Sequence, residues 1–153
     1  MNKKYEIKNI VIDGPCKLTI TFGDDVTMNI DLSTVIARNP FLAPLKDAVL
    51  FSKAKISTHS RGVEWNDDID LAGDNLRAEA VEQNGGISHE RIWNWMHRNG
   101  LTLDSAAEAL GISRRMLAYY RNGDKSIPKH IWLACLGWER CKGEGEEHLK
   151  QAA

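Results

Sequence analysis

Between Tyr5 and Leu71 apolar and polar residues alternate over short runs, whereas after Gly86 apolar residues recur every three or four positions. The first spacing is that of half-buried strands, the second that of helices. Lys17-Leu-Thr-Ile-Thr-Phe22 and Val26-Thr-Met-Asn-Ile-Asp-Leu32 both alternate and flank the turn residues Gly23-Asp24-Asp25, which predicts a hairpin over Lys17–Leu32. Ser33 is placed to cap a short helix that must stop before Pro40. Ala48–Ile56 and Gly62–Trp65 read as two further strands, and Asp74–Glu82 as a helix ended by Asn84-Gly85-Gly86. The change of period at this Asn-Gly-Gly linker predicts an α+β chain. A small mixed strand/helix domain is expected over residues 1–84 and an all-α bundle over residues 85–142. Residues 143–153 open with Gly143-Glu-Gly-Glu-Glu147, cannot bury anything, and are expected to form a disordered acidic tail.

Charge sharpens this division. Residues 1–87 carry 10 Lys/Arg and 13 Asp/Glu, residues 88–142 carry 9 and 5, and the last eleven carry 1 and 3. A net charge of −1 therefore hides an acidic front half and a basic helical half, and the basic half suits an anionic partner. The 153 residues allow one ordinary or two small domains. No apolar run is long enough to cross a bilayer, and no apolar stretch follows Lys3-Lys4, so a cytoplasmic protein without a signal peptide is expected. Cys16, Cys135 and Cys141 are odd in number and contain no Cys-x-x-Cys, so reduced thiols are expected rather than a disulfide framework or a zinc site.

The basic half holds the most specific pattern. Thr102 can cap a helix starting at Leu103, and Asp104 suits the positive end of that helix. Ala106, Ala107 and Leu110 share a face, Gly111 supplies a left-handed turn residue, and Ile112 plugs the turn from below. Ser113 can cap the next helix, Leu117 and Tyr120 face inward on it, and Asn122-Gly123 ends it. Subtracting the inward positions leaves Arg114, Arg115, Ala118 and Tyr119 facing outward near the helix start. A recognition helix presents that end to the major groove. Arginine can fork two hydrogen bonds to guanine, and Ala118 can touch a thymine methyl. Ser113, Arg114, Arg115, Ala118 and Tyr119 are thus the candidate base contacts; Thr102, Arg121, Lys125 and Lys129 are the candidate phosphate contacts.

Ala107, Leu110-Gly111-Ile112-Ser113-Arg114, Leu117, Tyr120 and the exit Arg121-Asn122-Gly123 resemble the helix-turn-helix of the phage repressor/Cro-like (XRE-type) DNA-binding family. The likeness extends from Ser88 to Lys142, with Ile92–Arg98 as a preceding helix. Pro128 starts a following helix whose core includes Ile131, Trp132 and Leu136. It implies a repressor-like helical bundle that binds duplex DNA, usually as a dimer. Leu103 stands where the family often has glutamine, and Asp104 and Asp124 weaken the positive field.

Residues 5–76 resemble a small uncharacterised bacterial domain family found in toxin–antitoxin-like gene pairs. The likeness rests on Phe22-Gly-Asp, Asp31-Leu32, Phe41-x-x-Leu, Phe51-x-Lys-x-x-Ile56 and Gly62-Val-Glu-Trp-Asn-Asp-Asp-Ile-Asp70. It implies a small α+β fold and no activity. Within it Asp68-Ile-Asp70-Leu-Ala-Gly73 to Glu79 approaches a calcium loop, but Ala72 and Asn75 break the pattern, and it reads as a strand-to-helix turn.

His59, His89, His97, His130 and His148 lack metal-ligand spacing, and no nucleophile elbow, phosphate loop or dinucleotide fingerprint occurs. No catalysis, metal or cofactor is expected. Trp93 and Trp132 are expected to pack the bundle, while Trp95, two residues from Trp93, falls on another face. There it meets the acidic module, meets a second subunit, or lies on the surface; Trp138 carries the same alternatives. The reading is a transcriptional regulator that binds duplex DNA sequence-specifically as a homodimer, with a possible protein partner for the first half. The alternative is an antitoxin-like interaction module whose DNA binding is autoregulatory or vestigial.

Overall fold

Three antiparallel strands, β1 (Ile7–Gly14), β2 (Lys17–Phe22) and β3 (Thr27–Asp31), form a sheet in sequence order. Ile20 of the central strand lies opposite Ile10 and Met28. Leu18, Ile20 and Phe22 are fully buried on one face, while Thr19 and Thr21 occupy the other, as the alternation requires. The hairpin over Lys17–Leu32 is present. The computed structural model describes residues 2–142, so the expected tail at 143–153 lies outside the described residues. The chain divides into two units, Met1–Gly85 and Gly86–Ala153. The first unit mixes strands and helices and the second is all-helical among its described residues, giving the expected α+β class.

After β3 come α1 (Ser33–Arg38), a 3-10 helix over Pro40–Lys46 and α2 (Ala48–Phe51). Ser33 does not cap α1. It is the first helical residue, and its hydroxyl donates to Asp31 at 2.5 Å. Ala48–Ile56 is not a strand. The Asp47 carboxylate accepts from the Val49 amide (2.9 Å), the Ser52 hydroxyl donates to the Val49 carbonyl (2.6 Å), and the apolar run closes into a helical turn. Only β4 (Lys55–Ile56) stays extended. It pairs with β5 (Gly62–Glu64), which pairs with β6 (Asp70–Ala72) in a second antiparallel sheet. β6 runs directly into α3 (Gly73–Gln83), so the near-calcium segment is a strand-to-helix junction, and Glu79 pairs with Arg38 at 2.8 Å.

Contacts distant in sequence lock this unit. A side chain on Gly73 would place its Cβ 2.0 Å from the Tyr5 carbonyl oxygen, so only glycine lets α3 begin there. Arg77 of α3 forks onto both Asp24 oxygens (2.9 and 3.0 Å), donates to the Lys4 carbonyl (3.1 Å) and lies over the Phe22 ring. Burial raises the Asp24 pKa, but the Arg77 hydrogen bonds and charge, with the Val26 amide, outweigh it and hold the carboxyl below its ordinary value. At the end of α3 the Gln83 side chain accepts from the Asp31 amide (2.8 Å) and donates to the Asp31 carbonyl (2.7 Å). The buried Trp65 indole donates to the Phe51 carbonyl at 3.1 Å.

In the second unit, α4 (His89–Arg98), α5 (Leu103–Leu110), α6 (Arg114–Asn122) and α7 (Lys129–Lys142) enclose a core. Its members include Ile92, Trp95, Met96, Ala107, Leu117 and Tyr120. Two expectations are corrected. Trp95, not Trp93, fills the core: Trp95 is 0% exposed and Trp93 50%. Ile92, Trp95 and Met96 share a face at spacings of three and four, whereas Trp93 is rotated about 100° from Ile92. Likewise Leu136 is exposed and Cys135, four residues after Ile131, is buried in its place. The Trp95 indole donates to the Cys135 carbonyl (3.0 Å) and meets Trp138 edge to face, while Trp132 packs half-buried on the core. Burial pushes the Cys135 thiol up to about 12.

Candidate nucleic-acid interface

Local hydrogen bonds set the geometry of α5 and α6. The Thr102 hydroxyl accepts from the Ser105 amide (3.1 Å) and the Ser105 hydroxyl from the Thr102 amide (2.9 Å), a reciprocal cap that starts α5. Gly111 ends it at φ 69°, ψ 29°, where a side chain would be strained. The Ile112 amide then donates back to the Ala107 carbonyl at 3.1 Å, and Ile112 packs half-buried on the core. Ser113 accepts from the Met116 amide (3.1 Å) and starts α6, leaving its hydroxyl proton for an outside acceptor. The two helices are thus joined by a three-residue turn, Gly111-Ile112-Ser113.

Leu117 and Tyr120 anchor α6 to the core. At 100° per residue the opposite side carries Arg115, Ala118 and Tyr119, with Arg114 on its flank. The two arginines are exposed; Ala118 and Tyr119 are half-buried. Arg115 Nε donates to the Tyr119 hydroxyl at 2.8 Å, and the Lys125 ammonium lies 4.7 Å from the centre of the same ring. Tyr119 is thereby a seat for two cations, and the phosphate candidate Lys125 lies beside the base-contact candidates. Arg114 Nε lies 3.0 Å from Asp104 Oδ1 across the turn.

The remaining phosphate candidates separate. Arg121 turns toward the body of the unit, with its guanidinium 5.2 Å above the Trp93 ring and its Nε buried without an acceptor. With Thr102 it lines a cleft of about 200 Å³, whose apolar walls include Trp93, Met96 and Leu101. Lys129 is exposed at the first position of α7 and belongs to neither group. Sequence reasoning missed two members of this surface. The size of Trp93 suggests a core position, but the Ile92–Trp95–Met96 stripe excludes it. Asp104 reads in the sequence as favouring the start of α5 and weakening the positive field, and the three-residue turn brings it against Arg114.

The first unit has an open polar groove of about 580 Å³ beside β2 and β3, lined by residues that include Asp13, Lys17, Asn29 and Asp31. Among the described residues no group of three or more His, Cys, Asp or Glu is placed to hold a metal ion, and no helix is long and apolar enough to cross a membrane.

Residues 7–82 match the model of a protein family of unknown function, DUF2442. Comparison with curated proteins finds no match. Among solved structures, the crystal structure of a "Putative DNA Binding Protein" from Nitrosomonas europaea ATCC 19718 is similar to this chain with a TM-score of 0.80 and 42% identity. The likeness covers 91% of this chain and 90% of that one, and so includes both units. At that identity and coverage the chain belongs to the same protein family as the Nitrosomonas europaea protein, with a DUF2442 domain at its residues 7–82.

Proposed function

We propose that the chain is a transcriptional regulator that binds duplex DNA sequence-specifically through a repressor-like helix-turn-helix formed by α5, the Gly111 turn and α6. The observation that carries this reading is the outward face of α6, where Arg115, Ala118 and Tyr119 stand opposite the anchoring Leu117 and Tyr120 and the exposed Arg114 flanks them. The description of the Nitrosomonas europaea relative agrees with it. Arg114 and Arg115 read base edges, each forked pair with guanine being worth about 1–3 kcal/mol of discrimination. Ser113, Ala118 and Tyr119 complete the base contacts. Thr102 and Arg121 take one phosphate at their shared cleft, and Lys125 and Lys129 take others. One such module has little surface for tight specific binding, so two copies act on a palindrome. The activity is binding, with no catalytic step.

Selection from a random duplex pool, followed by anisotropy titration at two salt concentrations, tests this. The expected outcome is a palindrome with guanine in each half-site. Specificity is lost in Arg114→Ala/Arg115→Ala, and Lys125→Ala lowers the salt slope by about 1. Equal binding of parent and double variant to every duplex overturns the role assignment.

A second reading, an antitoxin-like protein-interaction module, is favoured by one observation. Phe41 and Val49 of the first unit are 74% and 66% exposed, large apolar side chains left on the surface. Co-purification of a stoichiometric small protein, lost in Phe41→Ser/Val49→Ser, supports that reading.

A further inference from the structure

We infer that Asp104 is a positioning residue for base readout: from α5 it holds the Arg114 guanidinium edge-on to one guanine. Base preference at that position then depends on both helices. The inference rests on the DNA-binding reading above.

The electrostatics of α6 make Asp104 conspicuous. Two arginines occupy its first two positions, at the positive end of the helix dipole, and its first turn contains no acidic residue. The opposing charge comes from α5 instead. There Thr102 and Ser105 make the reciprocal cap with their hydroxyls, so the Asp104 carboxylate is not consumed in starting its own helix. Its Oδ1 lies 3.0 Å from Arg114 Nε. The side chains are 79% and 66% exposed, and an ion pair that exposed adds little to stability, so folding does not account for its position.

Chemistry accounts for it. A guanidinium carries five N–H donors in one plane. A carboxylate at Nε leaves the far edge, Nη1 and Nη2, whose parallel donors match guanine O6 and N7. Asp104 also restricts the rotamers of a long side chain before DNA arrives, which lowers the ordering cost of the contact. Its negative charge meanwhile repels the phosphates of every duplex. Asp104 therefore lowers affinity for DNA in general and raises discrimination at one base pair.

The test uses the full chain and its selected duplex. The base pair read by Arg114 is the one whose substitution no longer matters in Arg114→Ala. For Asp104→Asn, binding to unrelated duplex is expected to tighten severalfold. The ratio of affinities for the guanine site over its substituted versions is expected to fall about tenfold. Asp104→Glu keeps the charge and recovers most of that ratio, and Asp104→Asn adds no loss of discrimination to Arg114→Ala. If Asp104→Asn instead strengthens the guanine site and its substituted versions by the same factor, Asp104 is a bystander charge and the inference falls, while arginine-dependent specificity stands. If the parent chain enriches no sequence at all, the DNA-binding reading itself falls.

Discussion

Arg77 and Arg114 show how differently the two units use the same side chain. Arg77 is turned inward, 14% exposed, with Asp24, the Lys4 carbonyl and the Phe22 ring all around its guanidinium. Arg114 is 66% exposed and pairs with Asp104. The first unit joins chain segments far apart in sequence: Arg77 to Asp24 and Lys4, Gln83 to Asp31, Gly73 against Tyr5. The start and end of each helix at the α5–α6 turn are instead set by neighbours three to five residues away, through Thr102, Gly111 and Ser113. The α5–α6 turn closes through near neighbours and leaves Arg115 and Lys125 on the surface, whereas Arg77 is taken up in closing the first unit.

The largest effect that tests this contrast falls inside the helical unit. Trp95→Ala is expected to destabilise by about 4 kcal/mol, because a fully buried indole leaves a cavity and its hydrogen bond to the Cys135 carbonyl is lost. Trp93→Ala should cost about 1 kcal/mol or less, the worth of an exposed cation–π contact. Urea titration of both variants reads the difference, and equal losses would contradict the placement of the two rings. Next, Gly73→Ala should cost the first unit about 3 kcal/mol, since its Cβ meets backbone rather than a flexible side chain. Loss of hydrogen-exchange protection at Leu18 and Ile20 reports it.

Asp24→Asn comes third, at about 2 kcal/mol for hydrogen bonds to a charged partner. It carries a pH signature. The folded Asp24 carboxyl titrates below its ordinary value, so its contribution is fully present above about pH 4 and disappears as the pH falls through the folded value. Asp24→Asn should therefore flatten the acid limb of stability against pH, without abolishing it. Asp31 is also held low, chiefly by the Ser33 hydroxyl and amide. Ser113→Ala follows, at about 1 kcal/mol for a lost helix cap, visible as a lower thermal midpoint.

Legibility in the sequence follows the same division. Thr102, Gly111, Ser113 and Gly123 announce helix ends because a cap is a contract between neighbours, and all four sit at those ends. The misreadings have local causes too. Ala48–Ile56 looked like a strand because Ala-Val-Leu-Phe is apolar, yet Asp47 and Ser52 bracket it as a helical turn. Trp93 drew attention by its size, although the spacing of Ile92, Trp95 and Met96 already assigned the face. By contrast β6 exists only because β5 pairs with it, and no period within three residues foretells that. The fork of Arg77 onto Asp24 spans 53 positions and leaves no local trace. On the candidate interface, the outward residues of α6 follow from helix geometry, whereas the meeting of Asp104 and Arg114 requires the path of the turn.

The bond pair between Gln83 and Asp31 has a consequence for the protein in a crowded solution. β3 is an outer strand, and a bare outer strand offers backbone groups on which another chain can polymerise. The Gln83 carboxamide presents its oxygen and one of its N–H donors in the same sense as a peptide group, and it occupies the amide and the carbonyl of Asp31 at once. A single side chain so imitates the next peptide unit of a sheet and blocks its growth at that point. Its removal would be felt less as a loss of folding energy than as a gain in stickiness between molecules.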